Sequence, residues 1–257
     1  RGGHRLVVER SVEGLGADIV DVNMGCPVLK ISKHNAGCSL MREPAHAASV
    51  IAAMTRRVRI PVTVKMRAGW NGDSINAPEL ARRVEDAGAA AVAVHGRTAA
   101  QSYSGQSDGG LIDRVAKSVG IPVFGSGDCI EPEQIVERMA TGVSGVLVGR
   151  GVLRNPWVLA QAADLAAGRP VRAVTLQDRG RFLLDYIDLL LSEGEDEAEG
   201  FRHRAGQHQT HHRWVINKLR ALMSWYSKGL HNGGHLRTAI NAAESTSHAR
   251  GIIGSFF

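Results

Sequence analysis

The chain repeats one pattern between residues 17 and 149: a short apolar run, a polar or glycine-containing turn, and an amphipathic stretch. The apolar runs are rich in Val, Ile and Ala, and we interpret them as lacking a regular alternation of apolar and polar residues. Such runs are typical of parallel strands buried on both faces by helices. The predicted strands cover residues 18–23, 62–67, 91–95, 122–125 and 145–149. The repeat therefore predicts an α/β fold with a parallel sheet.

Prolines mark the starts of the intervening helices. Backbone N–H groups in the first helical turn have no acceptor within the helix, so a proline there costs no hydrogen bond. The predicted starts are Pro44, Pro78 (after a cap at Asn76) and Pro132. A (β/α)8 TIM barrel needs eight strands, and only five are visible. We therefore expect barrel strands four to eight here, with the first three strands missing and the chain beginning in a helix over residues 6–14.

Strand signals stop near Pro170, and the remaining sequence is helical in pattern. Helices are predicted over residues 176–191, 214–228 and 236–243, with an acidic loop over 193–199. The expected organisation is a partial barrel over residues 1–169, followed by a small all-helical domain over residues 170–257.

The composition of this 257-residue chain bears on its expected partner and cellular location. The formal net charge of +6 suits a polyanionic partner such as RNA. The three cysteines form no C-x-x-C pair, so neither a disulfide framework nor a zinc site is predicted, and a cytoplasmic location is expected. No apolar run reaches membrane-spanning length. The histidines at 203, 208, 211 and 212 lack supporting acidic or Cys ligands, so we expect no bound metal. We expect the protein to be a monomer.

Cys26 follows the first predicted strand on a Gly-Cys-Pro turn. The carboxyl ends of parallel strands are where such folds carry out chemistry. A partly exposed and stiffly held thiol there can act as a nucleophile or a proton donor. A small residue filling a bend is the alternative for an isolated cysteine, but four later strands also end in polar or glycine signatures.

Those later strand ends favour an anionic ligand. Lys65 is a cation inside an apolar strand, where it needs a partner, and His95 is followed by Gly96 and Arg97. The last two strands end in glycine-containing turns, which bring backbone N–H groups close to an anion. These turns are Gly125-Ser126-Gly127-Asp128 and Gly149-Arg150-Gly151. Together the turns predict a cofactor that carries a phosphate.

These motifs together resemble the tRNA-dihydrouridine synthases of bacterial type. The matching segments cover residues 21–27, 62–67, 93–98, 125–128, 148–151, 155–157 and 225–230, in the order of that family. The resemblance implies an FMN-binding (β/α)8 barrel and a helical tRNA-binding domain. It further implies FMN- and NADPH-dependent reduction of the uracil 5,6 double bond of specific tRNA uridines.

The resemblance also implies residue roles. Cys26 protonates C5 of uracil, and Asn23 lies near the substrate base. The FMN contacts are Lys65, His95, Ser126, Gly127, Asp128, Gly149 and Arg150. Two departures stand out: the family's Pro-Met-Ala segment and a strand-three Gln have no counterpart, and Ser126 replaces the usual Asn.

Basic residues provide the expected RNA contacts. They are Lys30, Lys33, Arg97, Arg213, Lys218 and Arg220. A solvated helix face is the alternative for those in the helical domain. Two other functions remain open: an FMN barrel oxidoreductase acting on a small pyrimidine or related metabolite, and an inactive RNA-binding relative.

Overall fold

The computed structural model describes residues 12–28, 36–196 and 211–257. Its chain forms two compact units that meet in sequence at Gly149 and Arg150. The predicted boundary lay 20 residues later, at 169/170. The difference arises because residues 150–169 belong to the helical unit, in which Arg150–Arg154 contacts the helix His211–Tyr226.

The first unit contains a five-stranded sheet in which every neighbouring pair is parallel. The strands are β1 (Val20–Met24), β2 (Val62–Arg67), β3 (Ala91–His95), β4 (Val123–Ser126) and β5 (Gly145–Leu147), in the spatial order β1-β2-β3-β4-β5. Sequential order with parallel pairing is the arrangement of strands in a (β/α)8 barrel. The predicted α/β class and partial barrel are therefore confirmed.

Four helices connect these strands: α1 (Pro44–Thr55), α2 (Ala77–Asp86), α3 (Gly109–Ala116) and α4 (Pro132–Met139). A 3-10 helix, Gly37–Arg42, precedes α1. Prolines lie in the first turns of α1, α2 and α4, as predicted. The structure adds α3, whose N-cap Asp108 accepts a hydrogen bond from the Leu111 N–H. The helix expected over residues 6–14 lies mostly outside the described residues.

Among the described residues, the hydrophobic core of this unit lies between the helices and one face of the sheet. Val64, Met66, Val92 and Val94 are fully buried there against the helices. The alternate positions of the same strands carry Asp21, Asn23, Lys65, Arg67 and His95. The interpretation that helices cover both faces was therefore wrong. The sequences of β1, Val-Asp-Val-Asn-Met, and β2, Val-Thr-Val-Lys-Met-Arg, do alternate and signal this polar face; only in β3 do Ala91 and Ala93 mask it.

The second unit is all-helical in the residues described. Its helices are α5 (Arg150–Arg154), α6 (Val158–Ala166), α7 (Leu176–Asp196), α8 (His211–Tyr226), α9 (Gly233–Ala242) and α10 (Thr246–Phe256). Its core joins α7, α8, α9 and α10 through Leu183, Ile187, Leu219, Ile240 and Ile253, all at most 1% exposed. The last helix, α10, was absent from the sequence prediction.

Candidate active site

The sheet register brings polar residues together at one end of the first unit. Asn23 pairs with Lys65 across β1 and β2, and Arg67 pairs with His95 across β2 and β3. His95 in turn pairs with Ser126 on β4. Because side chains alternate along a strand, these residues share one face of the sheet. The carboxyl ends of four strands therefore form one continuous polar surface, as the sequence predicted.

The turn that carries Cys26 is fixed by the residue before it in β1. The Asn23 side-chain Oδ1 accepts hydrogen bonds from the backbone N–H of Gly25, at 2.9 Å, and of Cys26, at 3.1 Å. This local bonding gives Asn23 a clear role in holding the turn. Its predicted contact with the substrate base stays a prediction. Cys26 itself is half-buried at the end of the strand.

Arg67 is a residue that the sequence analysis did not single out. Arg67 is 4% exposed, and its guanidinium donates to the Gly25 carbonyl at 2.8 Å through Nε. Its Nη1 donates to the Thr98 and Ser102 carbonyls at 2.9 and 2.8 Å. Arg67 therefore ties the Cys26 turn to the loop after β3. A basic residue at the end of an apolar strand, two positions after Lys65, was the available signal.

His95 and Lys65 both lie close to other cations. Burial lowers the pKa of His95 to about 4, and Arg67, Lys65 and Arg97 contribute in the same direction. His95 is therefore a neutral imidazole at neutral pH. Its Nδ1 faces the Arg97 N–H at 3.3 Å, so the proton lies on Nε2. Burial, reinforced by Arg67, also lowers the pKa of Lys65.

The turn after β4 has a conformation that demands its glycine. Gly127 has a φ of +109°, and a Cβ there would lie 2.4 Å from the Ser107 Oγ and 3.3 Å from the His95 Nε2. The next residue, Asp128, has a φ of 54°, in the left-handed region that Asp tolerates. The absence of a side chain at Gly127 therefore lets this turn pack against Ser107 and the His95 imidazole; the preceding residue, Ser126, is 8% exposed.

The side chains of Arg97 and Asp128 bind each other. The Arg97 Nη2 lies 2.7 and 2.9 Å from the two Asp128 carboxylate oxygens and 2.6 Å from the Gly105 carbonyl. Asp128 also accepts from the Ser107 N–H at 2.7 Å. Since Arg97 is only 3% exposed, the structure gives this pair a positioning role. The predicted substrate contact of Arg97 and cofactor contact of Asp128 stay predictions.

A polar cavity of about 540 Å³ adjoins this ion pair. Its lining includes Arg97, Ser107 and Asp128 from the loops, and Gln134 and Arg138 from α4. Within the described residues, the buried Arg97 Nη1 has no hydrogen-bond partner.

Three predicted RNA contacts lie on α8 of the second unit. Arg213 and Lys218 are exposed, and the Lys218 Nζ lies 5.2 Å from the centre of the Trp214 ring. Arg220 is half-buried and donates to the Ala243 carbonyl at 3.0 Å. Arg220 therefore supports the end of α9, and the RNA role of all three stays a prediction.

The remaining predicted residues are placed as follows. Gly149 is the last residue of the first unit, is exposed, and has open space where a Cβ would be. Arg150 begins α5, with its guanidinium carbon 5.7 Å from the centre of the Trp225 ring. Their phosphate contacts stay predictions. Lys30, Lys33, His203 and His208 lie outside the described residues.

The described part of the chain holds neither a metal-binding cluster nor a membrane-spanning helix. No three His, Cys, Asp or Glu side chains come together there in a way that would hold a metal ion. No helix over residues 12–28, 36–196 or 211–257 has the length and apolar character needed to cross a membrane.

Comparison with known proteins gives a consistent assignment. The model of the dihydrouridine synthase (Dus) family matches residues 7–250. A probable tRNA-dihydrouridine synthase of Rickettsia bellii is 34% identical over 247 residues, which are 95% of this chain and 71% of that protein. The tRNA-dihydrouridine synthase B of Pseudomonas aeruginosa is 33% identical over 254 residues, which are 97% of this chain and 70% of that protein. A probable tRNA-dihydrouridine synthase of Rhizobium leguminosarum is 44% identical over 155 residues, covering 58% of this chain and 48% of that protein. The chain belongs to the dihydrouridine synthase family.

Proposed function

We propose that this protein reduces the uracil 5,6 double bond of specific tRNA uridines, with FMN as bound cofactor and NADPH as electron donor. The names of the similar proteins support the tRNA substrate. The observation that carries the proposal is the position of Cys26. Asn23 and Arg67 hold the backbone of its turn at the end of β1, and Lys65 lies on the neighbouring strand β2.

The polar face of the sheet suits the ring of a flavin. Lys65 is a partly buried cation, and His95 is a neutral donor through Nε2. The Gly127 backbone lies beside that imidazole, because a Cβ at position 127 would be 3.3 Å from the His95 Nε2 and would clash with the Ser107 side chain. These residues would hold FMN, whereas Asp128 acts through Arg97 and the Ser107 N–H. When bound, FMN supplies the hydride that C6 of uracil requires, after its reduction by NADPH.

Cys26 performs the second half of the reduction by donating its thiol proton to C5 of uracil. Loss of that proton leaves a thiolate, whose negative charge the Arg67 guanidinium interacts with favourably. Arg67 also fixes the Gly25 carbonyl one residue away. The protein thereby holds the turn that carries the proton donor in one position.

His95 contributes a hydrogen-bond donor rather than a positive charge. With a pKa of about 4 it stays neutral over the physiological range. A neutral donor orients a carbonyl or ring nitrogen without adding to the positive charge of Lys65 and Arg67. The cationic stabilisation of reduced flavin then rests on Lys65.

Arg213 and Lys218 would contact tRNA phosphates from the exposed side of α8. Each phosphate contact contributes a log–log salt slope of roughly −0.7 to −0.9. Replacing both by Ala should therefore make tRNA affinity fall less steeply with salt. Arg237→Ala, at an exposed position on α9, is the control and should leave the slope unchanged. Equal slopes for parent and double variant would remove α8 from the RNA interface.

The test of the catalytic proposal compares Cys26→Ala with Cys129→Ala. Flavin content is measured by absorbance after desalting, and dihydrouridine by mass spectrometry of nucleosides from treated tRNA. Cys26→Ala should keep flavin and lose dihydrouridine formation by about 10²- to 10⁴-fold, the usual contribution of a general acid. Cys129→Ala should form dihydrouridine at a rate close to that of the parent. Parent-level activity in Cys26→Ala would disprove the role of the thiol.

A further inference from the structure

Two of the three cysteines lie next to each other in the first unit. The backbone N–H of Cys38 donates to the carbonyl oxygen of Cys26 at 3.1 Å, although the two residues are twelve positions apart in sequence. With standard bond lengths, this hydrogen bond holds the two Cα atoms within about 7 Å of each other. Disulfides usually join Cα atoms roughly 4.4–6.8 Å apart. The backbone therefore places the pair within bridging range.

The two thiols have different environments. Cys26 is half-buried at the end of β1, where a small oxidant can reach it. Cys38 is fully buried in the 3-10 helix Gly37–Arg42. Burial raises the pKa of Cys38, Arg67 opposes that effect, and the Cys26 thiolate adds to it. Its exposure makes Cys26 the thiol that an oxidant meets first.

We propose that Cys26 and Cys38 form a peroxide-sensitive dithiol site that closes reversibly into a disulfide. The Cys26 thiolate attacks one oxygen of a hydroperoxide, the O–O bond breaks, and Cys26 becomes a sulfenic acid while hydroxide or an alkoxide leaves. Cys38 then attacks the Cys26 sulfur, the S–OH bond breaks, and the hydroxyl group leaves as water with the proton of the Cys38 thiol. Overall, the two thiols lose two electrons and two protons, and the peroxide is reduced by the same two electrons.

The site has a consequence that rests on the proposed function. If Cys26 is the proton donor to uracil, the disulfide removes that proton and stops dihydrouridine formation. Cys38 then protects Cys26, because a disulfide is reducible by thiols whereas the sulfinic acid formed by further oxidation is not. The third cysteine is placed elsewhere, with its thiol 3.5 Å from the Gly127 carbonyl.

Peptide mapping tests the site without any measurement of activity. The 257-residue chain is treated with hydrogen peroxide, its remaining thiols are alkylated, and it is digested with trypsin. Cleavage at Lys30 and Lys33 separates the two cysteines into peptides spanning residues 11–30 and 34–42. We expect these peptides to appear as one cross-linked species, lighter than their sum by two hydrogen atoms. Dithiothreitol should restore both alkylatable thiols.

Two substitutions serve as matched controls. Cys129→Ser should form the same cross-link as the parent, whereas Cys38→Ser should form none and should accumulate Cys26 sulfinic acid that dithiothreitol does not reverse. Cys26 sulfinic acid in the parent without the cross-link, or a cross-link from Cys26 to Cys129, would overturn the proposal. A cross-link that forms while dihydrouridine formation continues would leave the dithiol site in place and would refute the catalytic role of Cys26.

Discussion

Asp128→Asn tests whether the ion pair with Arg97 holds the loops around the candidate site. The Arg97 side chain is 3% exposed and that of Asp128 is 30% exposed. Asn keeps the shape of Asp and tolerates the left-handed backbone at this position, where φ is 54°. It removes the negative charge, however, and its amide N–H group would face either Arg97 or the Ser107 N–H. The substitution therefore isolates the electrostatic contribution.

The expected cost follows from the burial of the two partners. Removing one partner of a fully buried pair costs about 3–5 kcal/mol. The partial exposure of Asp128 and the remaining Asn oxygen reduce this value, so we expect roughly 2–3 kcal/mol. Such a loss corresponds to hydrogen exchange about 30- to 150-fold faster for the slowest amides of the first unit.

Hydrogen exchange followed by mass spectrometry separates the two units of the chain. Amides in β3 (Ala91–His95) should exchange faster in Asp128→Asn, whereas those in α8 (His211–Tyr226) should not change. Asp113→Asn is the matched control, because Asp113 pairs with Lys117 at 2.8 Å on the surface, with side chains 31% and 75% exposed. We expect at most about 0.5 kcal/mol there. Equal effects of the two substitutions would refute a special role for the Arg97–Asp128 pair.

Three further outcomes follow from the structure. Folding lowers the pKa of His95 from 6.5 to about 4, so only the unfolded chain binds this proton between those pH values. The free energy of unfolding of the first unit should therefore drop by roughly 3 kcal/mol from pH 7 to pH 4. Unfolding curves of His95→Asn should show a weaker dependence on pH than those of the parent. Gly69→Ala should cost about 1–3 kcal/mol, because a Cβ would lie 2.2 Å from the Ser74 carbonyl oxygen, whereas Gly72→Ala, with open space, should cost little in the same denaturation assay. Tyr226→Phe removes the 2.9 Å hydrogen bond from the buried hydroxyl to the Arg179 carbonyl. Hydrogen exchange should then show that the protection free energy of the slowest amides in α8 is about 1 kcal/mol lower than in the parent.

Local sequence was sufficient to predict where most strands of the sheet begin and end. The predicted limits of β2 and β3 are those observed, and the other strands differ by one or two residues at their ends. Apolar runs of strand length and prolines at helix starts are local signals. They can be recognised without knowing which segments pack against each other in the fold. Helices α3 and α10 have no proline in their first turns, and their local start signals are instead the N-cap residues Asp108 and Ser245, which the sequence prediction did not use.

The alignment of Asn23, Lys65 and His95 at one end of the sheet was also predictable, because parallel strands bring their carboxyl ends together. The face that each residue occupies could also be read from β1 and β2, where apolar and polar residues alternate. It could not be read from β3, where Ala91 and Ala93 stand at the positions that would have revealed the alternation. The tertiary structure alone places Arg67 against the Gly25 carbonyl, 42 positions away, and binds Arg97 to Asp128, 31 positions away.

The same distinction separates Cys26 from Cys38. The sequence determined that Cys26 follows a strand on a stiff turn, because both the strand and the Gly-Cys-Pro turn are local. It gave no reason to connect Cys26 with Cys38, because no C-x-x-C spacing links them. Their proximity depends on the chain returning from the loop to begin a 3-10 helix beside the end of β1, where the Cys38 N–H meets the Cys26 carbonyl. Local patterns determine where elements begin and end, whereas such contacts depend on how packing of the core brings distant segments together.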